Sequence, residues 1–230
     1  FALYWLMRIG IDGECGFTFG VDEKTWAPLT PEAVSRDMPS SQRPTDDEEG
    51  RGKLDPQVKF FSMSPTEKAL SFYKHTRWDK LQDLLCEAGL LAKVNGALAV
   101  KADRFIAMLA LTAFHDIMKV QDLLPCVQPQ HAPYEGYAKG DRINDHDVAL
   151  GYILEHYSEC LPSFSHLPVP LQRILRFTQV KLSFNHGWLV QAEAAPGPLF
   201  TSFKLAINTM RDVQSRDVSF YFIHWLTDLA

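Results

Sequence analysis

Two adjacent residues, His115 and Asp116, have the side chains best suited to chemistry in this chain. They follow directly on FIAMLALTAF, the most apolar stretch of the sequence, so we expect both to be buried. A buried carboxylate is costly unless it is paired or binds a metal. Two interpretations follow from the residues alone: a cation held by the pair, or a structural His/Asp network completed by Lys119, one helical turn further on.

Most of the chain after residue 60 has apolar residues at helical spacing, with few strand signals. Ser64, Pro65 and Glu67 form a strong helix start, and Gly89 or Asn95-Gly96 is the expected end of that helix. The later helices are expected at about 101–124, apolar on all sides and stopped by Pro125; after a cap at Asn144 or Asp145; from Pro170; around 199–210; and from near Ser215. The fold class predicted is all-α, an irregular helical bundle.

The first part of the chain has a different composition. A short apolar segment and a Gly-rich stretch precede residues 36–56, which are rich in Pro, Ser, Gly and acidic residues and are typical of a linker. We therefore expect a less regular N-terminal extension and linker at 1–60 and a helical domain at 61–230. Both ends of the chain look like those of a fragment, because no initiator Met is present and the last residues continue a helical pattern.

The segment AFHDIMKV, Ala113 to Val120, resembles the signature of the HD-domain superfamily of metal-dependent phosphohydrolases and phosphodiesterases, with Met118 where the family usually has Gly. The resemblance extends over about 64–230. His75 matches the family's first histidine, which lies on a preceding helix a few tens of residues upstream. Asp228, in HWLTDLA, matches the closing Asp on a late helix, although pairing with His224, one turn earlier, is also open.

Some HD proteins hold two metals, and their additional histidines resemble His146 and His186. The resemblance thus implies one or two divalent ions, Mn, Fe, Mg or Zn, with Asp116 as a bridging ligand. It also implies that Lys119, together with Arg77 or Arg142, neutralises a substrate phosphate. The ligand set implied is His75, His115, Asp116, His146, His186 and Asp228.

A metal at such a site activates water as a nucleophile, so the resemblance implies hydrolysis of a phosphate ester. Asp116 and Lys119 would be the catalytic residues, and the substrate a small phosphorylated molecule, most simply a nucleotide. Two alternatives remain open. One is a catalytically eroded HD-like regulatory or scaffold domain of a larger protein, which Met118 favours. The other is a di-iron oxygenase, because some HD-fold proteins use the same six ligands to activate oxygen.

Charge and composition exclude other classes. The net charge is -5 and Lys and Arg are not concentrated anywhere, so binding to a nucleic-acid backbone is not expected. No apolar run reaches the about 20 residues that a membrane span needs. The four cysteines are scattered, which favours reduced thiols in an intracellular compartment, most simply the cytoplasm. The fragment-like ends leave organelle targeting open, and the sequence leaves the oligomeric state open.

Overall fold

The structure is a computed structural model, and it describes residues 2–12, 68, 71, 75–181, 196–209 and 213–228. The chain divides into two compact units, one formed by Phe1–Tyr4 with Asp83–Ala230 and the other by Trp5–Gln82. The predicted boundary at residue 60 falls outside the described residues and stays a prediction.

The described residues are mostly helical, with one small antiparallel sheet, which agrees with the coarse expectation of a helical protein. None of the described helices is long and apolar enough to cross a membrane. The helices and strands are α1 (Ala2–Asp12), α2 (Trp78–Glu87), β1 (Leu91–Val94), β2 (Ala97–Val100), α3 (Ala102–Phe114), α4 (His146–His156), α5 (Pro162–Ser165), α6 (Val169–Arg176), α7 (Pro196–Thr209) and α8 (Ser215–Asp228).

The small sheet agrees with the expectation of little strand structure after residue 60, although the sequence did not predict its position. Helix α2 ends with Gly89 at positive φ, where the Leu90 N–H bonds to the Leu85 carbonyl, as in a Schellman cap. Strands β1 and β2 then pair in the register Val94↔Ala97, joined by Asn95 and Gly96 at φ 51° and 83°. Two residues at positive φ match the twist of a tight hairpin, so Asn95-Gly96 forms a strand turn and not a helix end.

Helix α3 is shorter than predicted and is not buried on all sides. It ends at Phe114, and short 3₁₀ turns at Ile117–Lys119 and Gln121–Leu123 replace the expected helix up to residue 124. Its inner face is buried, whereas Ile106 and Leu109 are exposed. The continuous apolar sequence therefore belongs to a helix with a buried inner face and two apolar residues on its exposed face.

Helix α8 begins at Ser215, as the sequence predicts, and packs against α3. A buried ion pair joins the two helices, because Arg104 Nη2 lies 3.0 Å from Asp217 Oδ1. The guanidinium carbon of Arg104 also lies 5.4 Å from the centre of the Phe220 ring. These contacts near the start of both helices set their alignment, and the alignment places the last residue of α8 beside the residues that follow α3.

Helices α4 and α6 also belong to the larger unit. Asp145 caps α4, its Oδ1 accepting the N–H groups of Asp147 and Val148 at 2.9 and 3.1 Å, which confirms one of the two predicted caps. Helix α6 begins at Val169, one position before the predicted Pro170, and continues as a π-helical turn over Phe177–Lys181. Helix α4 contacts the turn Ile117–Lys119, which follows Asp116 directly, and the π-helical turn contacts both α4 and α8.

Candidate metal centre

His115 lies directly after α3, where its backbone N–H still bonds to the Leu111 carbonyl. Its ring Nδ1 lies 3.0 Å from the Thr112 carbonyl oxygen. A carbonyl oxygen only accepts hydrogen bonds, so Nδ1 must carry the proton. In the neutral ring, Nε2 then has the lone pair, which is the protonation state that a metal-ligating histidine needs.

The lone-pair side of His115 faces two carboxylates. Nε2 lies 2.8 Å from Asp228 Oδ1 and 3.6 Å from Asp116 Oδ2. The donor atoms of the three residues lie within 4.8 Å of one another, a spacing at which they could hold a metal ion. Ligands about 2.0–2.2 Å from one ion lie about 3–3.5 Å apart, close to these separations. A cation between them, or a proton on Nε2 that is donated to Asp228, would offset the repulsion between Nε2 and the carboxylates.

The expected burial of the pair is wrong. The side chain of His115 is 18% exposed, and those of Asp116 and Asp228 are 42% and 44% exposed. The reason is that α3 ends at Phe114, so Asp116 lies in a turn at the surface and not on an apolar helix. The features that favour a cation here are therefore the orientation of the His115 ring and the two carboxylates, and not the burial of the pair.

Lys119 supplies a positive charge at the same place. Its Nζ lies 2.6 Å from Asp116 Oδ2, across one turn of 3₁₀ helix. Burial opposes ionisation of Asp116, but the hydrogen bond from Lys119 and the charges of His115, Lys119 and His146 keep the pKa of Asp116 below its ordinary value. The same hydrogen bond raises the pKa of Lys119. Asp116 is thus an anion with one of its oxygens engaged by Lys119.

His146, the first residue of α4, lies on the other side of Asp116. Its Nε2 lies 3.9 Å from Asp116 Oδ1 and 3.6 Å from Asp147 Oδ1. The two oxygens of Asp116 therefore face different histidines, the arrangement expected of a bridging carboxylate. Asp145, His146 and Asp147 form a second group whose donor atoms could hold a metal ion. The sequence did not single out Asp147, which also accepts a 2.7 Å hydrogen bond from Gln179.

Two further predicted ligands are not among the described residues of the larger unit. His75 belongs to the smaller unit, where its Nδ1 lies 2.7 Å from the Ser71 carbonyl and must donate to it. This contact leaves the lone pair of the neutral ring on Nε2, as at His115. His186 lies outside the residues that the structure describes. The ligand roles of His75 and His186 stay predictions.

The predicted phosphate-binding arginines already have protein partners. In the smaller unit, Arg77 forms two hydrogen bonds with Asp79, at 2.9 and 2.6 Å, and is largely exposed. In the larger unit, Arg142 Nη2 donates to the Gln121 carbonyl oxygen. Binding a phosphate through either arginine would require these contacts to open, whereas Lys119 lies at the candidate metal centre itself.

His224 is a residue that the sequence offered only as a partner for Asp228. Asp228 instead contacts His115, and the His224 ring packs edge-to-face on the His115 ring, with the ring centres 5.0 Å apart. Burial and then the electrostatic interaction with His115 lower the pKa of His224, whereas the carboxylates of Asp228 and Asp116 raise it; the resulting pKa is about 4. Its position one turn before Asp228 on an apolar helix was the only signal in the sequence.

Comparison with known proteins does not add to this geometry. No protein-family model, curated protein or solved structure matches the chain.

Proposed function

We propose that this protein is a metal-dependent hydrolase of phosphate esters with an HD-type site. The observation that carries the proposal is the orientation of His115, which donates through Nδ1 to Thr112 and presents Nε2 to the carboxylates of Asp116 and Asp228. With the imidazoles of His115, His146 and His224 neutral, two carboxylates and one lysine leave one excess negative charge, which favours binding of a cation. Mixed imidazole and carboxylate ligands suit Mn, Fe, Mg or Zn.

The proposed fold is an HD-type helical bundle. Its support is the placement of the His-Asp pair directly after α3 and of the closing Asp as the last residue of α8, two helices that pack together. The chain separates Asp116 from Asp228 by more than a hundred residues, yet both carboxylates face the same imidazole nitrogen. Such convergence is what the resemblance implies for a metal centre.

Each residue then has a defined chemical role. A divalent cation bound there would activate a water molecule for attack on phosphorus. His115, Asp116 and Asp228 would hold the cation, and His146 together with Asp116 would hold a second one. Lys119, which pairs with Asp116, would turn its ammonium toward the nonbridging oxygens of the phosphate. Partial exposure of the carboxylates lets water and substrate reach them.

The substrate class follows from this charge arrangement. A lysine beside a cation suits a small phosphorylated molecule, and we propose a nucleotide phosphomonoester or phosphodiester. Arg142 lies in the same unit as the candidate centre, so it is the better of the two predicted arginines for binding a phosphate, once its bond to the Gln121 carbonyl opens. Arg77 remains a prediction from the sequence.

The direct test is turnover of p-nitrophenyl phosphate and bis(p-nitrophenyl) phosphate by the EDTA-treated protein after addition of Mn²⁺, Mg²⁺, Zn²⁺ or Fe²⁺. We expect metal-dependent hydrolysis that Asp116→Ala abolishes and that Asp122→Ala, a control at a nearby exposed carboxylate, leaves intact. Equal turnover by wild type and Asp116→Ala would contradict the proposal. Bound iron with a mixed-valence signal would instead favour the di-iron oxygenase.

A catalytically eroded HD-like regulatory or scaffold domain is a second candidate, and one observation favours it. Lys119 lies 2.6 Å from Asp116, so a protonated His115 and this lysine could balance the carboxylates without a metal. The two candidates differ in metal-dependent stability. A scaffold without metal predicts that EDTA leaves the free energy of unfolding unchanged. A metal that binds only the folded protein raises this free energy with the logarithm of the metal concentration, so EDTA would lower it.

A further inference from the structure

His224 lies on α8, one turn before Asp228. Its side chain is buried, with the residue 8% exposed, and its Nδ1 has no hydrogen-bond partner among the described residues. A buried polar atom without a partner costs free energy, so native proteins rarely keep one without a role. A phenylalanine would fill this space without that cost. The presence of an unpaired nitrogen here points to a ligand for it.

The surroundings of His224 indicate what the ligand is. The His115 ring lies edge-to-face against it at 5.0 Å, and the carboxylates of Asp116 and Asp228 both act on it electrostatically. His224 precedes Asp228 by one helical turn, so the two side chains leave α8 on the same face. His115, Asp116 and Asp228 all have side-chain atoms that can bind a cation, and His224 borders these three residues.

A cation held by this group would have coordination positions left open. His115, Asp116 and Asp228 offer three donor residues, whereas protein cation sites usually use four or more ligands, including water. We propose that His224 is an additional metal ligand of this centre, reaching the cation through Nδ1 after rotation of its side chain. This inference rests on the proposed function and adds a ligand that the HD resemblance does not imply.

The test is titration of the EDTA-treated full chain with Co²⁺, followed by visible absorbance. The d–d bands of Co²⁺ report both its affinity and its ligands. We expect His224→Phe to weaken Co²⁺ binding roughly tenfold or more and to change the spectrum. The metal-free variant should unfold at the same denaturant concentration as wild type or higher, because the unpaired nitrogen is gone. His166→Phe, at a histidine on α5's C-terminal side, is the matched control.

The outcomes separate this inference from the function on which it rests. Wild-type Co²⁺ affinity and spectrum in His224→Phe would overturn the role of His224 alone, provided that His115→Ala abolishes binding. Absence of saturable Co²⁺ binding in the wild type would overturn both. If His224→Phe fails to fold, the ¹⁵N resonance of His224 Nδ1 in the wild type decides: we expect Zn²⁺ to shift it, and an unchanged resonance would overturn the inference.

Discussion

His115 shows how one backbone contact determines what a side chain can do. The Thr112 carbonyl fixes the proton on Nδ1, so Nε2 is either a metal ligand or, when protonated, the donor to Asp228 and Asp116. The structural network and the metal centre therefore use the same geometry and differ only in whether a proton or a cation lies on Nε2. Residue substitutions can separate the two.

Lys119 gives the first such prediction. It competes with a cation for Asp116, because its Nζ lies 2.6 Å from Oδ2. We expect Lys119→Met to strengthen Mn²⁺ binding roughly two- to fivefold, the size of effect that an exposed ion pair gives. The same variant should raise KM for a phosphodiester, because a partner of the substrate phosphate is lost. Mn²⁺ titration and steady-state kinetics measure both, with Lys101→Met as the exposed control.

Stronger Mn²⁺ binding together with a higher KM is expected only if Lys119 both competes with the cation and binds the substrate phosphate. A lysine that only stabilises the turn after α3 would leave Mn²⁺ affinity and KM unchanged in Lys119→Met. Weaker Mn²⁺ binding would mean that Lys119 supports the cation site and does not compete with it.

At the scale of elements, the cap of α4 fixes the position of His146. Asp145 Oδ1 accepts two backbone N–H groups, and His146 is the next residue. We expect Asp145→Ala to lower the free energy of unfolding by about 1 kcal/mol, whereas Asp145→Ser, which retains a capping oxygen, should be close to wild type. Urea denaturation of the three proteins measures this. Equal losses in both variants would show that the carboxylate acts through its charge and not as a cap.

The loop before α4 is held by a stacked histidine pair. The rings of His131 and His156 are 3.8 Å apart and nearly parallel, at 10°. Tyr152 accepts the Gln128 N–H at 2.9 Å, so its own hydroxyl proton can be donated to His131 Nδ1 at 2.8 Å. This arrangement requires Nδ1 of His131 to be unprotonated.

Stability should therefore depend on pH at this stack. Burial and then the electrostatic interaction with the stacked His131 ring lower the pKa of His156, although Glu155 raises it; Tyr134 and Tyr152 also face the ring of His156. The folded protein then binds fewer protons than the unfolded chain below pH of about 6.5, so stability falls as the pH falls through this range. We expect His156→Phe to lose less stability than wild type between pH 7.5 and 5.5 in urea denaturation. An equally steep loss would show that the stack does not titrate, with His166→Phe as the control.

At the scale of the whole molecule, the ion pair between Arg104 and Asp217 connects distant parts of the chain. Both side chains are buried, and α8 carries Asp217 near its start and Asp228 at its end. Breaking a buried pair by removing one charge leaves the other uncompensated. We expect Asp217→Asn to lower the free energy of unfolding by about 3 kcal/mol and also to weaken Mn²⁺ binding, because α8 loses its alignment with α3.

The matched control is the double variant Arg104→Met with Asp217→Leu, which removes both charges. It should unfold closer to wild type than Asp217→Asn, because apolar residues often replace a buried pair without loss. Chemical denaturation compares the three proteins. A double variant as unstable as Asp217→Asn would show that packing, not charge, sets the contribution of this contact.

Local sequence signals predicted part of this arrangement. The start of α8 at Ser215 and the cap at Asp145 were predictable because both depend on neighbouring residues. The hairpin at Asn95-Gly96 was missed because the same dipeptide also ends helices, and only the paired strands decide between the two. The resemblance alone suggested that Asp228 lies near Asp116.

Contacts between distant residues had no such signal. The pairing of Arg104 with Asp217 and the packing of His224 on His115 follow from how α3 and α8 cross, which no local pattern records. The burial of the His-Asp pair was overestimated for a related reason. An apolar sequence predicts a buried helix but not the residue at which the helix ends, and here the chain turns at Phe114, one residue before the pair.

The most direct test of the account is an equilibrium titration of the EDTA-treated chain with Mn²⁺, in which electron paramagnetic resonance measures the free ion. The metal-centre interpretation predicts saturable binding of one or two ions per chain, weakened roughly 100-fold in His115→Ala and Asp228→Ala while both variants stay folded. Asp122→Ala should bind like wild type. Absence of saturable binding in the wild type, or equal affinity in all four folded proteins, would contradict it.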